Sequence, residues 1–392
     1  MKKLLALLVV LALTVSLFVG CSAPTAEDAT TEEAVTEEAA VEEAAEEVTE
    51  ETAETASDEV ITLDVGMMGT SIKPVGVIVA DAMGYFEEEG VAVNFEKVSS
   101  MNDAYLAVST GDLDVYLFSS TAAATFISQG TTTLRVFGGT AAEGSEIMAP
   151  AGSGIVLDSA DDFVGLTVGC FMAETGQMVL KNYLMEQGYT IGQPGEDVDV
   201  AFVYYSDTNG GIEACKNGEY DIVLTNSSMG YYAEDLGVDV IANVSDFVEV
   251  YPCCRQTCNE TTYTDEFDAL VAFEIAALRG YAYSQENPEE TLDILVEYAG
   301  EDRGFLEGQI YGNENYTPAM RLSLDPDSDA CVAFYNAMMN LGEIEDTIEV
   351  DWRDYVVTDV YSTALQNLMD REPDNALWAE LMEYHTAHNT GA

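Results

Sequence analysis

The sequence predicts an α/β protein made of two doubly wound lobes with a cleft between them and a helical C-terminal part. One short pattern occurs twice, as 111-GDLDVYLFSS-120 and 218-GEYDIVLTNS-227, at an offset of 107 residues. Around each copy, strand and helix patterns alternate in the order β-α-β-α-β-α, which is typical of doubly wound sheets. The 334 residues from 59 to 392 also exceed what one hydrophobic core normally holds.

Residues 1–20 have the pattern of a signal peptide, in which MKK precedes the apolar run LLALLVVLALTVSLFVG. This run is too short, and wrongly flanked, for a comfortable membrane span. The residues FVGC, ending at Cys21, resemble the lipobox of bacterial lipoproteins, which implies cleavage before Cys21 and a lipid anchor on its sulfur. Such an anchor gains about 0.8 kcal/mol for each buried CH₂ group. The alternative is an ordinary signal peptide followed by an unrelated cysteine.

Residues 21–58 predict an acidic, disordered tether. From residue 22 onwards the segment holds 14 acidic residues and no basic one. Like charges repel along such a tract and no apolar periodicity is sustained, so we expect an extended, solvated spacer. A helical spacer is the alternative, which the Thr and Val content disfavours.

The two predicted lobes carry a large negative charge. Residues 59–392 contain 11 basic and 58 acidic residues, for a formal charge near −47. A polyanion of this kind does not bind nucleic acid through electrostatic attraction. The charge suits an exposed, soluble protein and does not indicate a fold.

Each repeat is predicted element by element. In the first, ITLDVGMM is a strand, KPVGVIVADAMGYF a helix with Pro74 near its first turn, and VAVNFEKV an alternating strand. NDAYLAVSTG follows as a helix ended by Gly111, then the buried strand LDVYLF and a capped helix from Ser119. In the second, the strand LTVG, the helix GQMVLKNYLMEQG, the strand DVDVAFVYY, a short helix, the strand YDIVLT and a capped helix repeat this order.

Ligands of doubly wound sheets lie beyond the carboxyl ends of the strands, where helices begin with free N–H groups and partial positive charge. Those places define the candidate ligand residues Met68, Ser71, Lys73, Ser119, Ser120, Thr121, Thr175, Gly176, Asn226 and Ser227. For any one Ser or Thr, a plain helix cap facing solvent is the alternative. The phosphate motifs GxGxxG and GxxxxGK[ST] do not occur in the sequence.

The segments AMGYFEEEGVAVNFEKV, AYLAVSTGDLDV, ADDFVGLTVG and GEYDIV resemble the substrate-binding proteins of ABC importers. They are similar in particular to the branch for nitrate, alkanesulfonates, taurine and thiamine-pyrimidine precursors. The resemblance covers roughly residues 60–300. It implies a type II periplasmic-binding-protein fold, in which residues 59–147 begin the first lobe, 148–250 form the second, and 251–392 return to complete the first with helices.

The segment 251-YPCCRQTC-258 lies where this layout puts the return crossover. Arg255 is a candidate clamp for a sulfonate, carboxylate or nitrate, and neutralisation of nearby carboxylates is the equal alternative. For Cys253, Cys254 and Cys258 the interpretations are small buried side chains, a disulfide of Cys258 with one of the other two, and a metal site. The cysteine run also resembles, in part, that of pyrimidine synthases related to this family. Thiamine-pyrimidine precursors therefore stay among the candidate ligands.

The sequence contains no nucleophile elbow, HExxH motif or paired-cysteine zinc frame, so we expect a binding protein that is not an enzyme and needs no cofactor or metal. We expect a monomer that captures a small-molecule ligand by lobe closure and delivers it to an ABC permease and its ATPase from the outer side of the cell membrane. His385 and His388, the only histidines, are expected at a solvated helix end. The alternatives are a ligand-sensing ectodomain and a Cys-dependent metal or redox enzyme.

Overall fold

The computed structural model describes residues 60–172, 174–226, 228–314 and 316–391. The predicted signal peptide and tether, with Cys21, and the candidate residue Ser227 lie outside the described residues. Within the described ranges, we find no helix with the length and apolar character that crossing a membrane requires.

The described residues form two sheets and the helices that cover them. The strands are β1 (Ile61–Met68), β2 (Val91–Val98), β3 (Val115–Tyr116), β4 (Leu134–Glu143), β5 (Ser145–Pro150), β6 (Thr167–Phe171), β7 (Ile191–Gly192), β8 (Val200–Tyr205), β9 (Ile222–Asn226), β10 (Val238–Asn243), β11 (Pro252–Asn259) and β12 (Met320–Leu322). The α-helices are α1 (Val75–Met83), α2 (Tyr85–Glu88), α3 (Met101–Thr110), α4 (Ser120–Ser128), α5 (Thr175–Glu186), α6 (Thr208–Lys216), α7 (Ala233–Leu236), α8 (Glu260–Asp265), α9 (Phe267–Glu286), α10 (Pro288–Ala299), α11 (Arg303–Ile310), α12 (Ser328–Asn340), α13 (Asp359–Arg371) and α14 (Ala376–His388). Short 3-10 helices lie at Ala160–Phe163, Met229–Tyr232, Val244–Asp246 and Trp352–Asp354.

The strand orders of the two sheets are β12-β4-β11-β3-β1-β2 and β10-β5-β9-β6-β8-β7, and they match over the five strands β4-β11-β3-β1-β2 and β10-β5-β9-β6-β8. In the first, β2, β1 and β3 are parallel, and β11 is antiparallel to both β3 and β4. In the second, β7, β8, β6 and β9 are parallel, and β5 is antiparallel to both β9 and β10. The chain leaves the first sheet at Gly144, with φ 98°, and returns to it at β11. The prediction of two doubly wound lobes is confirmed.

The repeated sequence pattern makes the same local structure in each lobe. Gly111 and Gly218 both adopt left-handed backbone, with φ 80° and 79°, which ends the preceding helix. Asp114 then accepts a hydrogen bond from the amide N–H of Asp64 in β1 at 2.8 Å. Asp221 accepts the equivalent bond from Thr167 in β6 at 2.7 Å. The repeated aspartates therefore tie the start of β3 to β1 in the first lobe and the start of β9 to β6 in the second.

Of the helices after β11, α9 packs on α1 of the first lobe, whereas α12 also contacts α5 of the second lobe. Helix α9 crosses α1 so closely that a Cβ on Gly280 would lie 2.0 Å from the carbonyl oxygen of Gly76. On the last helix, α14, His385 is buried and its Nδ1 lies 2.7 Å from Asp325. The expectation of a solvated His385 is therefore wrong, because α14 docks on the loop that carries Asp325.

Candidate functional site

A cavity of about 270 Å³ lies between the two lobes, at the carboxyl ends of their strands. Seven predicted ligand residues line it: Met68, Ser71, Lys73, Ser119, Thr121, Thr175 and Asn226. The structure adds eight lining residues that the sequence did not single out as ligand contacts: Met101, Phe118, Glu143, Ser145, Phe171, Glu174, Cys253 and Cys254. The cavity thus combines polar groups from both lobes with aromatic and thioether side chains.

Two predicted ligand residues lie beside the cavity instead of lining it. The Ser120 hydroxyl is fully buried and lies 3.0 Å from the Tyr335 hydroxyl, so it holds α4 against α12. Gly176 is the second residue of α5, and a Cβ there would lie 2.1 Å from the Ser145 hydroxyl oxygen. Because Gly176 has no side chain, the connecting strand β5 can approach the start of α5 closely.

Arg255 points away from the cavity into the core of the first lobe. Its side chain is fully buried, with one guanidinium nitrogen 2.8 Å from the carboxylate of Asp327. Its Nε donates to the carbonyl of Pro326 at 3.1 Å, and a further nitrogen donates to the carbonyl of Ala141 at 3.1 Å. This geometry supports the alternative in which Arg255 neutralises a carboxylate, because Arg255 does not line the cavity.

Two helix beginnings meet across the cleft. Ser119, with φ 57°, caps α4 and accepts a bond from the amide of Ala122 at 3.2 Å. Helix α5 begins at Thr175, and no side chain of the described residues caps its first turn. The hydroxyls of Thr121 and Thr175 lie 3.4 Å apart, so the lobes touch here. The open N–H groups of α5 offer donors and partial positive charge to an acceptor in the cavity.

A cation and a thiol pair form one wall. The Lys73 ammonium lies 3.4 Å from Cys253 Sγ, which lies 3.6 Å from Cys254 Sγ. The hydrogen bond from Cys254, followed by the charge of Lys73, lowers the pKa of the Cys253 thiol. The nearby Cys253 in turn raises the pKa of Lys73. This wall therefore favours an ammonium–thiolate pair.

Glu174 is a buried carboxyl that forms no ion pair with any of the described residues. It is 4% exposed, it lies at the N-cap of α5, and neither carboxyl oxygen has a well-formed hydrogen bond within the described part of the chain. Burial raises the pKa of Glu174 to about 7, and the nearby Ser145 hydroxyl offsets only part of this effect. Burial also raises the pKa of Glu143, although the guanidinium of Arg321, 3.3 Å away, opposes the rise. An unpartnered carboxyl facing a cavity points to a donor on the ligand.

Several of the missed residues have no individual sequence signal for binding, although the loop of residues 170–176, which holds Glu174, is itself a predicted ligand position. Glu174 belongs to the loop before α5, and an acidic residue at a helix start is typical of an ordinary dipole partner. Ser145 comes from the connecting strand β5, which no ligand motif marks. For Cys253 and Cys254 the sequence indicates packing, a disulfide or metal binding, and none of these predicts a cavity wall.

The six cysteines within the described ranges are free, and Cys258 is fully buried within strand β11. Among the residues that the structure describes, no group of three or more His, Cys, Asp and Glu side chains is arranged to hold a metal ion. Cys258 therefore behaves as a small apolar side chain, whereas Cys253 and Cys254 face the cavity.

Two matched α/β lobes around a shared cavity define the two-lobed periplasmic-binding-protein fold. The aliphatic sulphonate-binding protein SsuA from Escherichia coli has this fold at 14% identity and TM-score 0.56, over 76% of this chain and 92% of that chain. The nitrate-binding protein NrtA from Synechocystis PCC 6803 matches at 14% identity and TM-score 0.57, over 79% and 89%. A zinc-bound ligand-binding component of an ABC-type import system from Staphylococcus aureus matches at 14% identity and TM-score 0.55, over 78% and 99%.

Residues 72–291 match the family described as NMT1/THI5 like. Because this match spans more than half of the sequence, the chain belongs to the NMT1/THI5-like family. No curated protein matches the sequence. The predicted resemblance to the nitrate, sulfonate and thiamine-pyrimidine branch is confirmed.

Proposed function

We propose that this protein is an extracytoplasmic solute-binding lipoprotein of an ABC importer, anchored through Cys21. It captures a small polar or anionic solute between its lobes and delivers it to a permease and its ATPase. The observation that carries the proposal is the cavity of about 270 Å³, lined from both lobes by polar groups at strand ends and helix beginnings. The names of the similar structures, a sulphonate-binding and a nitrate-binding protein, support the solute class.

Closure of the lobes is the proposed mechanism. Thr121 and Thr175 approach within 3.4 Å across the cleft, so a solute held there contacts both lobes at once. The solute then shifts an open ensemble toward the closed one by no more than its difference in affinity for the two forms. The permease recognises the closed form.

The cavity favours a solute that presents both a hydrogen-bond acceptor and an N–H donor. Lys73 forms no ion pair with a carboxylate among the described residues, and α5 offers uncapped N–H groups, so both suit an acceptor. Glu174, buried and unpartnered, suits a donor. Taurine and aminopyrimidines carry both kinds of group, whereas nitrate and simple alkanesulfonates carry acceptors only. We therefore rank the amino-bearing solutes first.

A calorimetric and thermal-shift panel tests the proposal. It contains nitrate, methanesulfonate, taurine and a 4-aminopyrimidine with a hydroxymethyl group. A ligand at 100 times its Kd adds about 2.7 kcal/mol to the free energy of unfolding. We expect an amino-bearing compound to stabilise the protein and Thr175→Val to weaken its binding, with the exposed Thr264→Val as a matched control. No stabilisation by any compound would refute the proposed solute class.

A further inference from the structure

An irregularity in β11 turns two consecutive cysteines toward the cavity. In the pairing of β11 with β4, Pro252 lies opposite Ala142 and Cys254 opposite Ala141, so Cys253 is an extra residue. Side chains of consecutive strand residues normally point to opposite faces. A bulge breaks this alternation, and here both Cys253 and Cys254 line the cavity.

The surroundings of Cys253 favour its thiolate. The Lys73 ammonium donates a hydrogen bond to Cys253 Sγ at 3.4 Å and forms no carboxylate ion pair among the described residues. Cys254 Sγ lies 3.6 Å from Cys253 Sγ and can donate its S–H to Cys253. Cys253 is also half-buried, whereas the other five described cysteines are buried. It is therefore the thiol in the described part of the chain that is both activated and accessible.

We propose that Cys253 is a nucleophilic thiolate that low-molecular-weight disulfides modify within the ligand cavity. The Cys253 thiolate attacks one sulfur of the disulfide RSSR. A bond forms between Cys253 Sγ and that sulfur, the S–S bond of RSSR breaks, and RS⁻ leaves and takes a proton from solvent. The protein then carries a mixed disulfide in the cavity, and one molecule of thiol is released. No further oxidant is needed, because RSSR is itself reduced.

The modification competes with solute binding, because the added group occupies the same space. The adduct also removes the negative partner of Lys73, which changes the charge of that wall. The groups that act on Cys253 are Cys254, Lys73 and Arg255, which lower its pKa to about 5, and Glu174, whose charge opposes ionisation of Cys253. Tyr251, fully buried nearby, keeps its proton, because burial raises its pKa.

The test uses the full chain and bis(2-hydroxyethyl) disulfide, a small neutral probe. Peptide mapping with fragmentation identifies the modified cysteine and separates Cys253 from Cys254, Cys258 and Cys21. We expect one adduct, on Cys253. An ordinary thiol of pKa about 8.5 gains about 75-fold in thiolate between pH 6 and pH 8, whereas Cys253 should change by less than about twofold. A rate that rises as for an ordinary thiol, or labelling at another described cysteine first, would overturn the proposal.

Two variants separate the role of Lys73 from general loss of structure. Lys73→Met removes the nearby cation, which should raise the pKa of Cys253 by about 1–3 units. The rate of adduct formation should then depend on pH, and for a two-unit rise in pKa it should increase about tenfold from pH 6 to pH 8. Lys97→Met, at an exposed position of β2, is the matched control and should keep the flat profile. Cys253→Ser should abolish the adduct. An unchanged profile in Lys73→Met refutes the assignment, and the wild-type peptide map stands even if a variant fails to fold.

Discussion

Replacing Glu174 by Gln should make the solute-free protein more stable at neutral pH. The carboxyl is buried without a well-formed hydrogen bond, and its pKa rises from 4.5 to about 7. A carboxyl with a raised pKa stabilises the folded state fully below its unfolded pKa of 4.5, and this stability is lost as pH rises through 7. The shift of about 2.5 units corresponds to ~3 kcal/mol between the two limits. The substituted amide cannot ionise, so the variant avoids this loss.

Urea unfolding at pH 4 and pH 8 measures the effect. The free energy of unfolding of the variant minus that of the wild type should grow by ~3 kcal/mol between these pH values. Glu274, whose pKa burial raises to about 8, contributes the same pH dependence to both proteins and cancels in the difference. Glu96→Gln, at an exposed position of β2, is the control and should show no such growth. A difference that stays constant with pH would refute the assignment of Glu174 as a buried, unpaired carboxyl.

The same substitution should weaken solute binding. A hydrogen bond to a charged group contributes about 1.5–3 kcal/mol, so an amino-bearing solute should lose about 10- to 150-fold in affinity in Glu174→Gln. A solute with acceptors only should lose much less, since it makes no bond to this carboxyl. Opposite changes in stability and affinity are typical of a residue kept for binding. Unchanged affinity for every solute would show that Glu174 does not accept a hydrogen bond from the solute's amino group.

Two further predictions concern the scaffold. Arg255→Met leaves Asp327 buried without its cation and should lower the free energy of unfolding in urea by about 3–5 kcal/mol. The control Arg303→Met, at an ion pair screened by solvent, should have little effect. A small loss for Arg255→Met would contradict the buried pair at 2.8 Å. Asp114→Asn and Asp221→Asn each weaken one strand-to-strand bond and should cost about 1 kcal/mol each, adding within about 0.5 kcal/mol in the double variant because the two bonds lie in different lobes.

The fold was predictable because its signals are local. Gly111 and Gly218 end helices through left-handed backbone, and glycine is the residue that adopts it without strain. The buried apolar runs between such glycines mark strands by composition alone. Lengths were less predictable: the run LDVYLF forms only the two-residue strand β3, and Gly84, with φ 74°, divides the first predicted helix into α1 and α2. The length of β3 depends on its pairing with neighbouring strands, and the sequence of the segment alone does not specify that pairing.

The site was predictable only where a rule of the fold applies. Strand ends and helix beginnings indicated Lys73, Thr121 and Thr175, because doubly wound sheets collect their ligand groups there. For Arg255 the sequence left an anion clamp and a carboxylate partner equally open, because its partner Asp327 lies 72 residues further along the chain and no local pattern joins them. Cys253 faces the cavity because of a bulge, which is a property of the pairing of β11 with β4.

Two ionisable groups of the cavity come from different lobes: within the described residues, Lys73 has no carboxylate partner and Glu174 has no well-formed hydrogen bond. Lys73 precedes α1 in the first lobe, and Glu174 precedes α5 in the second. Glu174 is costly to bury while it lacks a donor, and under the proposed function a solute that bridges Lys73 and Glu174 offsets this cost only when the lobes are together. Cys253 also affects binding at Lys73, because the Cys253 thiolate already accepts a hydrogen bond from the Lys73 ammonium at 3.4 Å. Under the proposed function, a solute anion must displace that interaction or bind when the thiol is protonated or modified, so we expect the chemical state of Cys253 to set how strongly the first lobe attracts the solute.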